Sequence, residues 1–164
     1  MKRNEALLIV ADSEHDANML YAVGMFVPDP FIYLHIKGRN FVIMSDLEID
    51  RARKEASHCR VLSLGDIQKK LRQAGSTKAG FAEVIQFILR EKRIRSVSVP
   101  SNFPLGLALD LKKLGIGTQP IVGSFFPNRE LKTPEEVKKI SAALMMAEVG
   151  MAEGIQALKN SKVV

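Results

Sequence analysis

One cysteine, three histidines and no tryptophan stand in a chain of 164 residues, and these shortages exclude a good deal. The lone Cys59 rules out an intramolecular disulfide and fits a reducing compartment, which places the chain in the cytoplasm. No uninterrupted apolar run approaches the length needed to span a bilayer, so no membrane partner is expected. The apolar stretch Ala6–Ala11 is short and is followed at once by Asp12 and Glu14, unlike a signal peptide. Internal repeats and low-complexity segments are absent.

Catalytic signatures are equally scarce. Gly75–Gly80 (GSTKAG) has the outer glycine spacing of a phosphate loop. Phe81 and Ala82 stand where a lysine and a hydroxyl residue must reach phosphate and magnesium, so the motif fails. Gly115-Ile116-Gly117 follows a helix instead of opening one and is no dinucleotide fingerprint. No G-x-S-x-G elbow occurs. His15, His35 and His58 share no metal-ligand spacing. Cys59, at a strand start, reads as core and not as a nucleophile. Asp46, Glu48 and Asp50 are explained by a helix N-terminus. No catalytic, metal or cofactor-binding residue is therefore assigned.

What is present is a well-formed α/β pattern, 46% hydrophobic and able to bury a real core. Ala6–Ala11 reads as a buried strand, and Asp12 or Ser13 as the cap of a helix ending near Gly24. Phe31–Lys37 and Phe41–Met44, joined through Gly38-Arg39-Asn40, read as a hairpin. Leu47–Ala56 reads as a charged helix, Arg60–Leu64 as a strand, and Ile67–Ala74 as a helix capped by Asp66. Phe81–Ile94 is an amphipathic helix with Val84, Ile85, Ile88 and Leu89 inward. Ser96–Val99 is a strand, Phe103–Leu114 a helix capped by Ser101 or Asn102, and Thr118–Val122 a final short strand or extended piece. Strands alternating with helices predict a mixed sheet of about five or six strands flanked by helices.

The net charge of +6 is uneven. Residues 1–50 hold 4 basic and 8 acidic side chains, whereas residues 51–95 hold 12 and 4. The run Arg90, Lys92, Arg93 and Arg95 could meet nucleic acid or an acidic partner. It lacks interleaved aromatics for stacking on bases and alternates with core residues, so a solvated helix face is the simpler reading and nucleic acid is not expected.

The richest signal is Arg129–Ala143 (RELKTPEEVKKISAA). Thr133 and Glu136 have the spacing of a capping box, and Pro134 falls at the first helical position. Glu135 and Glu136 place negative charge at the positive end of the dipole. From Pro134 to Asn160 no further proline intervenes, although Gly150 and Gly154 predict bending or fraying beyond Val149. Val137, Ile140, Leu144, Met151, Ile155 and Leu158 form an apolar stripe that Met145, Met146 and Val149 widen or leave. Such a helix reads as built to touch a second body, the alternative being a broad core-facing stripe on a C-terminal helix.

This junction, with Arg129, Leu131, Lys132, Thr133, Glu136, Val137, Ile140 and Ala143, resembles the entry to the catalytic domain of the creatinase, prolidase and Xaa-Pro aminopeptidase family. Asp16, Leu20, Tyr21 and Gly24 are similar to that family's early D-x-x-x-x-Y-x-x-G stretch, and Asp46–Ala52 to its segment after the hairpin. The resemblance implies a ribonuclease-H-like N-terminal domain over residues 1–128, then a junction (Arg129, Lys132, Thr133, Glu136) and first helix over 129–164. It further implies a pita-bread catalytic domain beyond Val164 that holds two divalent metal ions. The chain by itself is expected to hydrolyse nothing. Its expected partners are that domain, a second copy in a homodimer and, in the parent enzyme, short proline-containing peptides. A second reading is an interaction module that reuses the fold without peptidase activity, as a histone-chaperone subunit resembling these peptidases does. A more distant third is a small-molecule or nucleotide binder.

Overall fold

A computed structural model describes residues 6–161. Residues 1–5 and 162–164, the outer ends of the expected domain and junction segment, lie outside the described residues. The chain divides into two compact units, Met1–Phe125 and Phe126–Val164.

The first unit is organised around strand β1 (Ala6–Ala11). Its continuous apolar run suits a strand covered on both faces. β1 pairs antiparallel with β2 (Phe31–Ile36) and parallel with β5 (Ser96–Val99). β3 (Arg39–Met44) pairs antiparallel with β2, and β4 (Cys59–Ser63) and β6 (Gly117–Pro120) join in parallel at the two edges. The sheet has six strands in the order β4-β3-β2-β1-β5-β6, so the mixed α/β sheet expected from the sequence is present. The β2–β3 hairpin turns on two residues, Lys37 (φ 48°) and Gly38 (φ 76°). Two positive φ values in a two-residue loop match the twist of the flanking strands. The strand then starts at Arg39, two residues earlier than the sequence predicts.

One face of the sheet carries the main core. Leu8, Val10, Ile32, Leu34 and Ile43 pack there with Leu71, Val84, Ile85, Leu89 and Leu111. The last five come from α3 (Leu64–Gln73), α4 (Phe81–Glu91) and α5 (Leu105–Lys113). Residues of opposite parity, Ile9, Tyr33 and Val42, are buried as well. So are Met19 and Val23 of α1 (Ala17–Val23) and Ile49 and Ala52 of α2 (Ile49–Glu55). Side chains alternate across a strand, so burial of both parities requires cover on both faces.

Three predicted caps differ from those observed. Asp16, not Asp12 or Ser13, caps α1, accepting from the backbone N–H of Asn18 and Met19 at 2.9 and 2.8 Å. Ser63, not Asp66, caps α3, its Oγ accepting from Asp66 N–H at 3.0 Å. α5 starts after Pro104 with no side-chain cap from Ser101 or Asn102, and Asn102 Nδ2 donates to Asp16 Oδ2 at 3.0 Å. Polar side chains of this kind serve whichever backbone or tertiary partner lies nearest, and here that partner differs from the one adjacent in sequence.

The second unit contains a short 3-10 helix, Pro127–Glu130, that the sequence did not announce, and α6 (Pro134–Asn160). α6 is helical without interruption over 27 residues, about 40 Å at 1.5 Å per residue. The fraying expected after Val149 does not occur: Gly150 and Gly154 stay within the helix. Among the described residues, no helix is long and apolar enough to cross a membrane.

Candidate functional site

The junction is the site that the sequence singled out, and its geometry follows from four residues. Thr133 adopts an extended backbone (φ −69°, ψ 159°), so its side chain turns back over the first helical turn. Glu136 N–H donates to Thr133 Oγ1 at 3.2 Å, and Thr133 N–H donates to Glu136 Oε2 at 2.8 Å. The two bonds satisfy N–H groups that a helix start otherwise leaves without partners. The Thr133 backbone bond, then its side-chain bond, holds the Glu136 carboxyl below the usual range, with smaller help from Lys132 and Lys139. Lys132 Nζ donates to the carbonyl of Arg129 at 2.6 Å, tying the 3-10 turn to the helix entry. All four junction residues thus occupy one local structure. It is a device for setting the start of a helix.

The remaining polar candidates are engaged locally. Asp12 Oδ1 accepts from His15 N–H at 2.7 Å and lies 2.9 Å from His15 Nδ1. The His15 backbone bond is the main influence lowering the Asp12 carboxyl. His35 Nδ1 lies 2.7 Å from Asn40 Oδ1, which also accepts from Tyr33 Oη at 2.9 Å. His58 Nε2 lies 2.9 Å from the carbonyl of Ala22. The three histidines serve three separate places. Asp46 accepts from Ser63 Oγ at 2.6 Å. Burial pushes the Cys59 thiol up to about 11, far from a reactive thiolate. Among the described residues no cluster of three or more His, Cys, Asp or Glu could hold a metal ion. The described donors therefore do not fit the two-metal centre that the resemblance implies for the parent enzyme.

The fold does rearrange one sequence feature. Lys92 leaves the basic run and places its ammonium 6.0 Å from the centroid of the Phe41 ring. Arg90, Arg93 and Arg95 instead share a cavity with Leu114 and Ile116. That convergence brings together residues some twenty positions apart and has no linear motif.

No family model and no curated protein matches the chain. Solved structures do. An X-Pro aminopeptidase from Thermotoga maritima superposes with a TM-score of 0.72 at 17% identity, over 93% of this chain and 41% of that protein. A prolidase from Pyrococcus furiosus gives 0.68 at 17% identity, over 93% of this chain and 39% of that one. A prolidase from Pyrococcus horikoshii gives 0.67 at 19% identity, over 96% and 39%. The chain therefore has a fold found in prolidase and Xaa-Pro aminopeptidase structures, consistent with the N-terminal domain of that family, and spans between 39% and 41% of their length.

Proposed function

We propose that this chain is the non-catalytic N-terminal domain of a proline-specific metallopeptidase, an Xaa-Pro dipeptidase or aminopeptidase of the cytoplasm. Its role is to support oligomerisation and to wall the active site, so that only short proline-containing peptides enter. Hydrolysis belongs to a catalytic domain that follows the junction and holds two divalent metal ions.

The observation that carries this reading is the capped entry into α6. Val137, Ile140, Leu144 and Ile155 are each about half exposed, and no residue of α6 is buried. An apolar stripe about 30 Å long on a stably started helix is a surface for a second body. The fold shared with peptidases more than twice as long supports a catalytic domain as that body. The same stripe also suits an interaction module of peptidase-like fold without peptidase activity.

The test is the reading frame after Val164. The proposal expects two Asp, one His and two Glu in metal-binding context, and release of proline from Xaa-Pro peptides by the joined polypeptide with a divalent cation. A following domain that lacks those ligands makes the chain part of an interaction module instead.

A further inference from the structure

The basic run that the proposed function leaves unused builds a pocket. α4 and α5 end in the same way. Arg93 N–H returns to the carbonyl of Arg90 and Ile94 N–H to that of Leu89, at 3.0 and 2.9 Å. Gly115 N–H returns to Lys112 and Ile116 N–H to Leu111, also at 3.0 and 2.9 Å. Each turn feeds one of two adjacent parallel strands, in which Ser96 lies opposite Gly117. Between the turns lies a cavity of about 500 Å³, within the range of small-molecule sites.

The two turns differ at their left-handed position. Both need a left-handed backbone at the position after the cap. Gly115 meets that need at φ 79°, whereas Arg93 occupies its counterpart at φ 57°. A long side chain is strained there, and glycine is the ordinary solution. Arg93, exposed at this turn, lines the cavity. Arg90 and Arg95 line the same cavity, and among the described residues its walls include no Asp or Glu. None of the three arginines pairs with a carboxylate among the described residues. Nor are they needed to satisfy the helix ends. The last carbonyls accept the returning N–H groups, and Leu114 O accepts from Gln86 Nε2 at 3.3 Å. Buried Ile116, with half-buried Ile94 and Leu114, supplies an apolar floor.

We propose that this pocket binds a small organic anion, a phosphate or carboxylate head on an apolar body. Three guanidiniums offer the bidentate donors that such oxyanions accept. The floor takes the body, and a bound anion relieves the repulsion among three like charges.

The test uses the whole chain with phenyl phosphate, benzoate and neutral benzyl alcohol, followed by backbone amide NMR and thermal melting. The two anions should shift the amides of residues 93–95 and 115–116 and raise the melting temperature by mass action. Benzyl alcohol should do neither. Phenyl phosphate against benzoate distinguishes the two head groups. Arg93→Gly relaxes the turn, so it should melt no lower than the parent while weakening anion binding by about tenfold or more. Arg95→Gln should weaken binding with an unchanged fold. No shift from either anion at about 10 mM would overturn the proposal, a concentration well above ordinary small-ligand affinities. So would shifts elsewhere, equal binding by Arg93→Gly, or a response to an oligonucleotide alone.

Discussion

Ser13 and Val27 hold each other by two hydrogen bonds. Val27 N–H donates to Ser13 Oγ at 2.8 Å, and Ser13 N–H donates to the carbonyl of Val27 at 3.0 Å. Ser13 Oγ also donates to the carbonyl of Met25 at 2.7 Å. Ser13 is fully buried, so its hydroxyl stitches the loop after α1 to the exit of β1 with no water to replace it. Ser13→Ala would leave a buried N–H and a buried carbonyl without partners. The expected cost is about 2–4 kcal/mol, at about 1–3 kcal/mol for each orphaned group with partial relaxation. Urea unfolding should show a lower midpoint with an unchanged slope.

Cys59 should resist alkylation. With its thiol pushed up to about 11 by burial, the thiolate fraction at pH 8 is on the order of 0.1%. Iodoacetamide labelling in native buffer should run far slower than in denaturant. The thiol also makes stability pH-dependent. Its folded value lies above the ordinary 9.0, so its contribution is complete below about pH 9 and is lost as the pH rises towards about 11.

Glu136 should make the start of α6 acid-sensitive. Its carboxyl is held low, first by the Thr133 backbone bond. The folded value lies below the unfolded one, so the stabilisation is present above the ordinary 4.5 and is lost as the pH falls through the folded value. Glu136→Gln should remove most of this pH dependence. Circular dichroism at 222 nm between pH 7 and pH 2 checks both statements; equal acid responses of parent and variant would count against the capping box.

Gly150→Ala and Gly154→Ala should each stabilise α6 by about 1 kcal/mol. A Cβ at either position meets nothing within 4 Å, so no clash opposes the gain. The measurement is helical content during thermal melting.

The apolar stripe of α6 should drive self-association when nothing covers it. Light scattering at high protein concentration should report dimers or larger species, and Ile140→Glu with Leu144→Glu should return the chain to monomer. A clean monomer of the parent sequence at every concentration would contradict the docking role given to this helix.

These residues also indicate what a linear reading can and cannot reach. β1, the hairpin, β5 and α6 are legible because apolar periodicity and turn chemistry are local signals, and Thr133-Pro134-Glu135-Glu136 encodes its own hydrogen bonds. The caps of α1, α3 and α5 are not, because Asp12, Ser13, Asp66 and Asn102 all look like caps in isolation. Ser13 is drawn into a latch with Val27, 14 residues away, and Asn102 into a bond with Asp16 across 86 residues. Gly150 and Gly154 weaken a helix without ending it. The arginine cavity is the least legible, since it depends on two helix-to-strand turns meeting side by side.

Proline release from Ala-Pro and Gly-Pro substrates tests whether hydrolysis needs the domain proposed to follow the junction. The assay compares the purified chain with the same chain joined to the polypeptide encoded after Val164, both supplied with a divalent cation. No release by the chain alone and turnover by the joined protein are expected. Release of proline by residues 1–164 unaided would contradict that need.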